Sequence, residues 1–126
     1  MADDKKILIT GGTGTIGKAL IPQLVEKGFS VRVFALKGDP IGELDIIENV
    51  EIRYGDITDE ETVKGICEGV STVMHLAAVV LSDDTALFDR VNVNGTRHLL
   101  ADAKKYGVQH FIHISSASVV YRKLTP

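Results

Sequence analysis

The sequence is poor in cysteine, and Cys67 is the only one in 126 residues. A lone cysteine excludes a disulfide within the chain and a metal site built from several thiolates. We therefore expect Cys67 to pack on a helix face in a reducing compartment, and we predict a cytoplasmic location. The four histidines are His75, His98, His110 and His113. They lack metal-ligand spacing to carboxylates, so we predict no metal site, and we expect His113 to lie in the core.

Long hydrophobic runs and clustered basic charge are also absent. The longest apolar stretch, 76–81, is far too short to cross a bilayer, and residues 1–6 lack the apolar region of a secretory signal. The net charge is −3, and the 14 Lys and Arg residues are spread along the chain. A nucleic-acid partner would require a basic face. We therefore expect neither a membrane nor a nucleic acid as a partner.

The chain does contain a regular alternation of short apolar runs and longer amphipathic segments. The runs predict five strands, at 6–10, 31–36, 50–54, 72–77 and 110–115. The segments between them predict a helix that ends at Gly28, a short helix at 41–48, a helix capped by Thr58 that runs to about Glu68, and a long helix at 84–106.

Strands that alternate with helices favour parallel pairing through right-handed crossovers. We therefore predict an α/β fold, with a doubly wound parallel sheet between two helical layers and a Rossmann-like strand order of 3-2-1-4-5. A chain of this length suits one domain, so we expect residues 1–126 to form a single unit.

A glycine-rich turn, TGGTGTIG at 10–17, follows the first predicted strand and begins the first helix. Gly11, Gly14 and Gly17 have no Cβ, so the backbone can come close to a ligand, and the first N–H groups of the helix have no intrahelical acceptor. The combination of strand, glycine turn and helix predicts a pyrophosphate site. The alternative is a glycine-rich turn that binds nothing.

Other distinctive clusters follow the later strands. They are GDITD at 55–59, HLAA at 75–78 and SSAS at 115–118. Because the carboxyl ends of parallel strands meet at one edge of the sheet, these clusters are expected to surround the same crevice as the glycine turn.

These motifs, with NVNGT at 92–96, occur in an order and spacing that resemble extended short-chain dehydrogenases/reductases. The closest resemblance is to the NAD-dependent epimerase/dehydratase group, which acts on nucleotide sugars. The resemblance covers nearly the whole chain. It implies a dinucleotide cofactor, with a sugar nucleotide as a partner only in a full-length relative.

The resemblance also implies roles for individual residues. The pyrophosphate would lie against Gly11, Gly14, Thr15, Ile16 and Gly17. Asp56 would accept a hydrogen bond from the adenine amino group, beside Ile57. The ribose would pass Leu76, Ala77 and Ala78, while Asn92 would support the nicotinamide and Ser116 would bond the reacting group. Alternatively, Asp56 caps a turn, Asn92 is a solvated helix residue, and the two alanines belong to the core.

The end of the second predicted strand bears on the choice of cofactor. NAD-binding sites usually have an acidic residue there, which bonds the ribose 2′-hydroxyl. In this chain the positions are Ala35 and Leu36, followed by Lys37, which slightly favours NADP. NAD stays open because Asp39 could serve if the loop folds back.

The Tyr-x-x-x-Lys pair that serves as general acid/base in the resembled family does not occur in these residues. We therefore expect the isolated chain to bind a dinucleotide weakly and to turn over nothing. The alternatives are a non-catalytic NAD(P) sensor and a purely structural oligomerisation module. The fifth strand would lie at the edge of the sheet, where its exposed backbone could support a homodimer.

Overall fold

A computed structural model describes residues 5–77 and 84–115 of the chain. Its centre is a five-stranded parallel sheet in the order β3-β2-β1-β4-β5. The strands are β1 Lys6–Thr10, β2 Ser30–Ala35, β3 Val50–Tyr54, β4 Thr72–His75 and β5 His110–His113. The predicted fold class and strand order are confirmed.

In the described part of the chain, four α-helices connect the strands. They are α1 Thr15–Glu26, α2 Glu60–Val63, α3 Thr85–Phe88 and α4 Thr96–Lys105. A π-helical segment, Asp89–Gly95, joins α3 to α4, and a 3₁₀ turn, Leu44–Ile46, precedes β3. Within the described ranges, no helix has the length and apolar character needed to span a membrane.

The core has two parts, one on each face of the sheet, because neighbouring side chains of a strand point to opposite faces. On β1, Ile7 and Ile9 pack on the face covered by α1, while Leu8 packs on the face covered by α4. All three are almost fully buried. A strand that is covered on both faces explains the continuous apolar run in the sequence.

The predicted helix from Thr58 to about Glu68 is wrong at both ends. The N-cap is Asp59, whose carboxylate accepts from the Glu61 N–H at 3.1 Å. The helix ends at Val63, and the chain continues as turns because Gly65 has a φ of +86°. Sequence reasoning missed this ending because it depends on a residue far along the chain.

That distant residue is Asp102 of α4, which is buried. Its two oxygens accept from the N–H groups of Gly65 and Cys67, each at 2.8 Å. Cys67 was expected on a helix face, but it lies buried in a turn. Burial, together with the neighbouring Asp102 carboxylate, raises the pKa of the Cys67 thiol to about 12, so the thiol stays protonated.

Two further expectations need correction. The short helix predicted at 41–48 is only a 3₁₀ turn, which follows Gly42 at a φ of +58°. His113 lies on an exposed face of β5 rather than in the core, whereas His75, its neighbour in the β4–β5 register, is 1% exposed. The long helix predicted at 84–106 is helical from Thr85 to Lys105, but with the π-helical segment inside it.

The amino edge of the sheet, where the strands begin, is held by a buried arginine. Arg32 donates to the carbonyls of Ile66 and Glu68 at 2.6 and 2.9 Å, and to the Glu51 carboxylate at 2.6 Å. Lys6 lies 3.7 Å from the same carboxylate. Burial raises the pKa of Glu51, but the neighbouring cations outweigh it and hold the pKa below its ordinary value.

Candidate functional site

A cleft of about 360 Å³ opens at the carboxyl edge of the sheet, where the strands end. Its walls come from the segments that follow β1, β2, β3 and β4, with one residue from the π-helical segment. The lining residues are Thr10, Gly11, Thr13, Gly14, Phe34, Ala35, Leu36, Asp39, Gly55, Asp56, Ile57, Leu76, Ala77 and Val91. A crevice at this edge is where open parallel sheets bind ligands.

Two glycines of the turn are required by the packing of the protein itself. Gly11 has a φ of +72°, and a Cβ there would lie 2.8 Å from the Ala77 nitrogen. A Cβ at Gly17 would overlap the backbone of Gly12. These positions bring the start of α1 close to β1 and to the segment after β4, and they would need glycine even if nothing were bound.

Gly14 is different, because the protein does not need a glycine there. Its φ of −81° suits any residue, and the nearest atom to an added Cβ is the Gly11 carbonyl oxygen, at an ordinary 3.4 Å. Gly14 is the N-cap of α1, faces the cleft and is exposed. No side chain caps the helix, and its first turn has no acidic residue. The first N–H groups of α1 therefore have neither an intrahelical acceptor nor a side-chain cap, and the positive end of the helix dipole lies beside the cleft that Gly14 lines.

The loop after β2 folds back into the cleft. Gly38, at a φ of +95°, forms a tight turn in which the Asp39 carboxylate accepts from the Leu36 N–H at 3.0 Å. The same oxygen accepts from the Thr13 hydroxyl at 3.4 Å. These contacts place a carboxylate beside the glycine turn. Lys37 is exposed and does not line the cleft.

Asp56 and Ile57 form the wall beyond β3. One Asp56 oxygen, Oδ1, accepts from both the N–H and the hydroxyl of Thr58, at 2.9 and 2.7 Å. Ile57 is buried against Gly95, where an added Cβ would lie 2.8 Å from the Ile57 side chain, and its carbonyl accepts from His98 Nδ1 at 2.8 Å. The wall is therefore fixed to the π-helical segment and to α4.

The floor of the cleft is held by a buried hydroxyl. The Thr10 Oγ1 accepts from the N–H groups of Leu76 and Ala77, both at 3.1 Å. These bonds hold the segment after β4 against the glycine turn. Small side chains at this point leave room for a ligand to approach the backbone.

The structure brings together eight of the predicted site residues in the cleft lining: Gly11, Gly14, Ala35, Leu36, Asp56, Ile57, Leu76 and Ala77. Thr15, Ile16 and Gly17 lie in the first turn of α1 behind Gly14, and Asn92 lies half-buried in the π-helical segment. Ala78 and Ser116 lie outside the described residues. In the ranges 5–77 and 84–115, no three His, Cys, Asp or Glu side chains are grouped as metal ligands.

Several lining residues were not predicted. Thr10 and Thr13 are part of the glycine motif, but the motif does not indicate which threonine faces the cleft. Val91 reaches the cleft from the π-helical segment, a local change in helix register that has no signal in the sequence. Asp39 was expected to reach the ribose only if the loop after β2 folded back, and the structure folds that loop back at Gly38 so that Asp39 lines the cleft.

Comparison with protein families and curated proteins gives consistent matches. Residues 8–125 match the model of the 3-beta hydroxysteroid dehydrogenase/isomerase family. Sterol demethylase protein B of Methylococcus capsulatus is 39% identical over 116 residues, which cover 90% of this chain and 35% of that protein. The murine sterol-4-alpha-carboxylate 3-dehydrogenase, decarboxylating, is 34% identical over 93% of this chain and 31% of its own length.

Solved structures share the fold. A short-chain dehydrogenase/reductase superfamily protein from Agrobacterium tumefaciens with bound NAD is 35% identical, with a TM-score of 0.75 over 90% of this chain and 33% of that one. The Bordetella bronchiseptica enzyme WbmG in complex with NAD is 27% identical, with a TM-score of 0.82 over 92% and 39%. The chain thus spans about a third of the length of its curated relatives.

Proposed function

The chain belongs to the 3-beta hydroxysteroid dehydrogenase/isomerase family, and from this premise we propose that residues 1–126 form one domain that binds a nicotinamide dinucleotide in the carboxyl-edge cleft. The observation that carries the proposal is Gly14, a cleft-facing glycine that neither its backbone angles nor its neighbours require. Close approach of a ligand explains it. Two of the solved neighbours contain NAD, which supports the same ligand class.

The pyrophosphate would bind at the start of α1. Its negative charge would face the unpaired N–H groups of Thr15, Ile16 and Gly17, and Gly14 would let the phosphate oxygens come close to the backbone. The absence of a carboxylate from the first turn of α1 supports this placement. The side chain of Ile16, which is 61% exposed, would take no part in the contact.

We propose NAD rather than NADP as the cofactor. Asp39 lies in the cleft beyond Ala35 and Leu36, at the end of β2, where dinucleotide folds bind the adenine ribose. Its carboxylate would accept from the ribose 2′-hydroxyl and would repel a 2′-phosphate. Lys37, whose charge made NADP attractive from the sequence, lies outside the cleft lining.

The remaining parts of the cofactor would follow the cleft. The adenine would lie near Ile57, where Asp56 has Oδ1 bonded to Thr58 and presents its other oxygen to the adenine amino group. The second ribose would pass Leu76, Ala77 and Ala78, and the nicotinamide would lie toward Asn92. When bound, the nicotinamide supplies hydride acceptance or donation.

For the whole protein, we propose dehydrogenation of a secondary alcohol, with Ser116 bonding the reacting oxygen. The names of the curated relatives favour a 3-hydroxy sterol over the nucleotide sugar that the sequence motifs suggested. A non-catalytic NAD(P) sensor is the alternative, because these residues contain no Tyr-x-x-x-Lys.

Calorimetric titration of the full chain with NAD and NADP tests the binding proposal. We expect NAD to bind with the higher affinity, and Gly14→Ala to weaken it more than tenfold because the added methyl occupies the pyrophosphate position. Gly14→Ala should lower the free energy of unfolding by less than about 1 kcal/mol, the typical range for a changed N-cap. Unchanged NAD affinity in a folded Gly14→Ala would contradict the pyrophosphate placement.

Two further measurements separate the wider alternatives. NADH formation by the whole protein with a 3β-hydroxy sterol, tested against a UDP-sugar, would support the dehydrogenase and select its substrate class. Dinucleotide binding by the whole protein without turnover of either substrate would favour the sensor.

Sedimentation tests the predicted homodimer. In the described part of the chain β5 is an edge strand, and Ile112 within it and Ile114 just after it are 42% and 44% exposed.

A further inference from the structure

A buried chain of hydrogen bonds runs beneath the cleft through His75. The Thr10 hydroxyl lies 2.6 Å from His75 Nδ1, and His75 Nε2 lies 2.9 Å from the Thr96 hydroxyl. The Thr96 hydroxyl in turn donates to the Asn92 carbonyl at 2.8 Å. The chain thus connects the last residue of β1, the last residue of β4, the first turn of α4 and the π-helical segment.

The positions of the protons in this chain follow from its ends. The Thr10 hydroxyl oxygen accepts from the Ala77 N–H and from the Leu76 N–H, which is shared with the Thr10 carbonyl at 3.1 Å, so the hydroxyl's own proton is directed to His75 Nδ1. Nδ1 is then an acceptor, and the proton of the neutral ring lies on Nε2. At the other end, the Thr96 proton is used on the Asn92 carbonyl, so the Thr96 oxygen accepts from Nε2. Each bond has one donor and one acceptor.

We propose that His75, as its neutral Nε2–H tautomer, is a positioning residue that sets the distance between the glycine turn and the π-helical segment across the cofactor cleft. This inference rests on the proposed dinucleotide binding. Through Thr10, His75 fixes Leu76 and Ala77 at the floor of the cleft. Through Thr96, it fixes the segment that carries Asn92, on the side where the nicotinamide would lie.

A charged ring cannot make these contacts. A proton on Nδ1 would face the Thr10 hydroxyl, whose oxygen already accepts from Leu76 and Ala77 and whose own proton would lose its acceptor. Among the described residues, the groups that contact the ring carry no negative charge: Thr10 comes from β1, Thr96 from α4, and Phe111 and His113 from β5, with the His113 ring centroid at 5.2 Å. Burial and the nearby His113 lower the pKa of His75 to about 4, which agrees with a neutral ring.

The tautomer is measured first, on the unaltered protein. Two-dimensional NMR of ¹⁵N-labelled histidine distinguishes the two neutral forms and the imidazolium through their nitrogen shifts. We expect His75 to give the Nε2–H pattern at pH 7 and to keep it down to about pH 5. An Nδ1–H tautomer, or a charged ring at pH 7, would overturn the inference whatever the variants do.

The positioning role is tested at Thr96, which does not line the cleft. Thr96→Val keeps the shape but removes the acceptor for Nε2, and we expect it to weaken NAD binding about fivefold. Thr96→Ser keeps the hydroxyl and should bind NAD like the wild type. Ser71→Ala is the matched control, because the Ser71 hydroxyl bonds the Lys6 carbonyl at 3.2 Å between the same strand pair at the amino edge. It should leave NAD affinity unchanged.

The outcomes separate this inference from the proposed function. If the wild type binds neither NAD nor NADP, the proposed function fails. If the wild type binds and Thr96→Val binds equally well, only the positioning role fails. Equal losses in Thr96→Val and Ser71→Ala would also overturn it, because the effect would then be general loosening of the β1–β4 pair. Should Thr96→Val not fold, the tautomer measurement still decides.

Discussion

The amino edge of the parallel sheet, where the strands begin, and its carboxyl edge, where they end, differ in how their polar groups are hydrogen-bonded. At the amino edge, Arg32 donates to the Glu51 carboxylate and to the backbone carbonyls of Ile66 and Glu68. At the carboxyl edge, Gly14 lines an open cleft at the start of α1, where no side chain caps the first N–H groups of the helix. The polar groups of the amino edge bond one another, which favours stability. The proposed dinucleotide would supply the acceptors for the N–H groups at the carboxyl edge.

The glycine turn contains the same contrast on a smaller scale. Gly11 and Gly17 have glycine because the protein's own backbone lies too close for a side chain. Gly14 has glycine without such a reason. The structure therefore separates the two glycines that packing requires from the one that packing does not require, which the motif alone could not do.

The largest expected effect is at the amino edge. Arg32→Met removes a buried guanidinium that bonds two carbonyls and a carboxylate, and we expect it to lower the free energy of unfolding by about 3 kcal/mol. Urea unfolding measures the loss. The NAD affinity of the folded variant should stay within about twofold of the wild type. A loss of affinity without a loss of stability would show that the amino edge also takes part in binding.

Gly17→Ala should also destabilise, by about 2 to 3 kcal/mol, because its Cβ overlaps the Gly12 backbone. Thermal unfolding of Gly17→Ala and Gly14→Ala, measured side by side, tests the difference between the two glycines. We expect a clear fall in Tm for Gly17→Ala and little change for Gly14→Ala. Similar Tm values for both would show that the two glycines do not differ in their packing roles.

The two edges should also differ in the pH at which they lose stability, through His75 at the carboxyl edge and Glu51 at the amino edge. The pKa of His75 is lowered from 6.5 to about 4 in the folded protein, so the unfolded chain binds the extra proton first as pH falls. We therefore expect about 2 to 3 kcal/mol of stability to be lost between pH 6.5 and pH 4. Glu51, whose pKa is lowered from 4.5, acts only below that value. A His75→Gln variant should not lose stability between pH 6.5 and 4.5. If the free energy of unfolding still falls in that range, a group other than His75 is responsible.

The smallest expected effect is one of selectivity. Asp39→Asn keeps an acceptor oxygen for the Leu36 N–H but removes the negative charge from the cleft. We expect NAD affinity to fall about fivefold and the preference for NAD over NADP to shrink about tenfold, with stability nearly unchanged. Calorimetric titration with both dinucleotides checks this. A preference equal to that of the wild type would exclude Asp39 from the ribose site.

Much of the fold could be predicted because apolar runs that are covered on both faces are distinctive. The bounds of β1 and β3 and the order of the strands were predicted correctly. The corrections arise where distant residues decide local structure. Asp102 accepts from Gly65 and Cys67 and so fixes the turns that follow α2. His113 is exposed because β5 lies at the edge of the sheet, whereas His75 is buried in β4. No local pattern contains this information.

For the candidate site, the motifs predicted the correct edge and many lining residues, but not the reason for each. Asp39 enters the cleft through a turn at Gly38, and Val91 enters through the π-helical segment. The sequence marks neither change of direction strongly. The bonding pattern that fixes the tautomer of His75 depends on three elements that are far apart in the chain.

A titration of the ¹⁵N-labelled full chain with NAD, followed through the backbone amide signals, tests the pyrophosphate site directly. We predict the largest shifts at Thr15, Ile16 and Gly17, with smaller ones along the cleft, and we expect Gly14→Ala to require more than tenfold more NAD to produce them. Shifts concentrated at the amino edge, or saturable NAD binding with unmoved amides in the first turn of α1, would contradict this prediction.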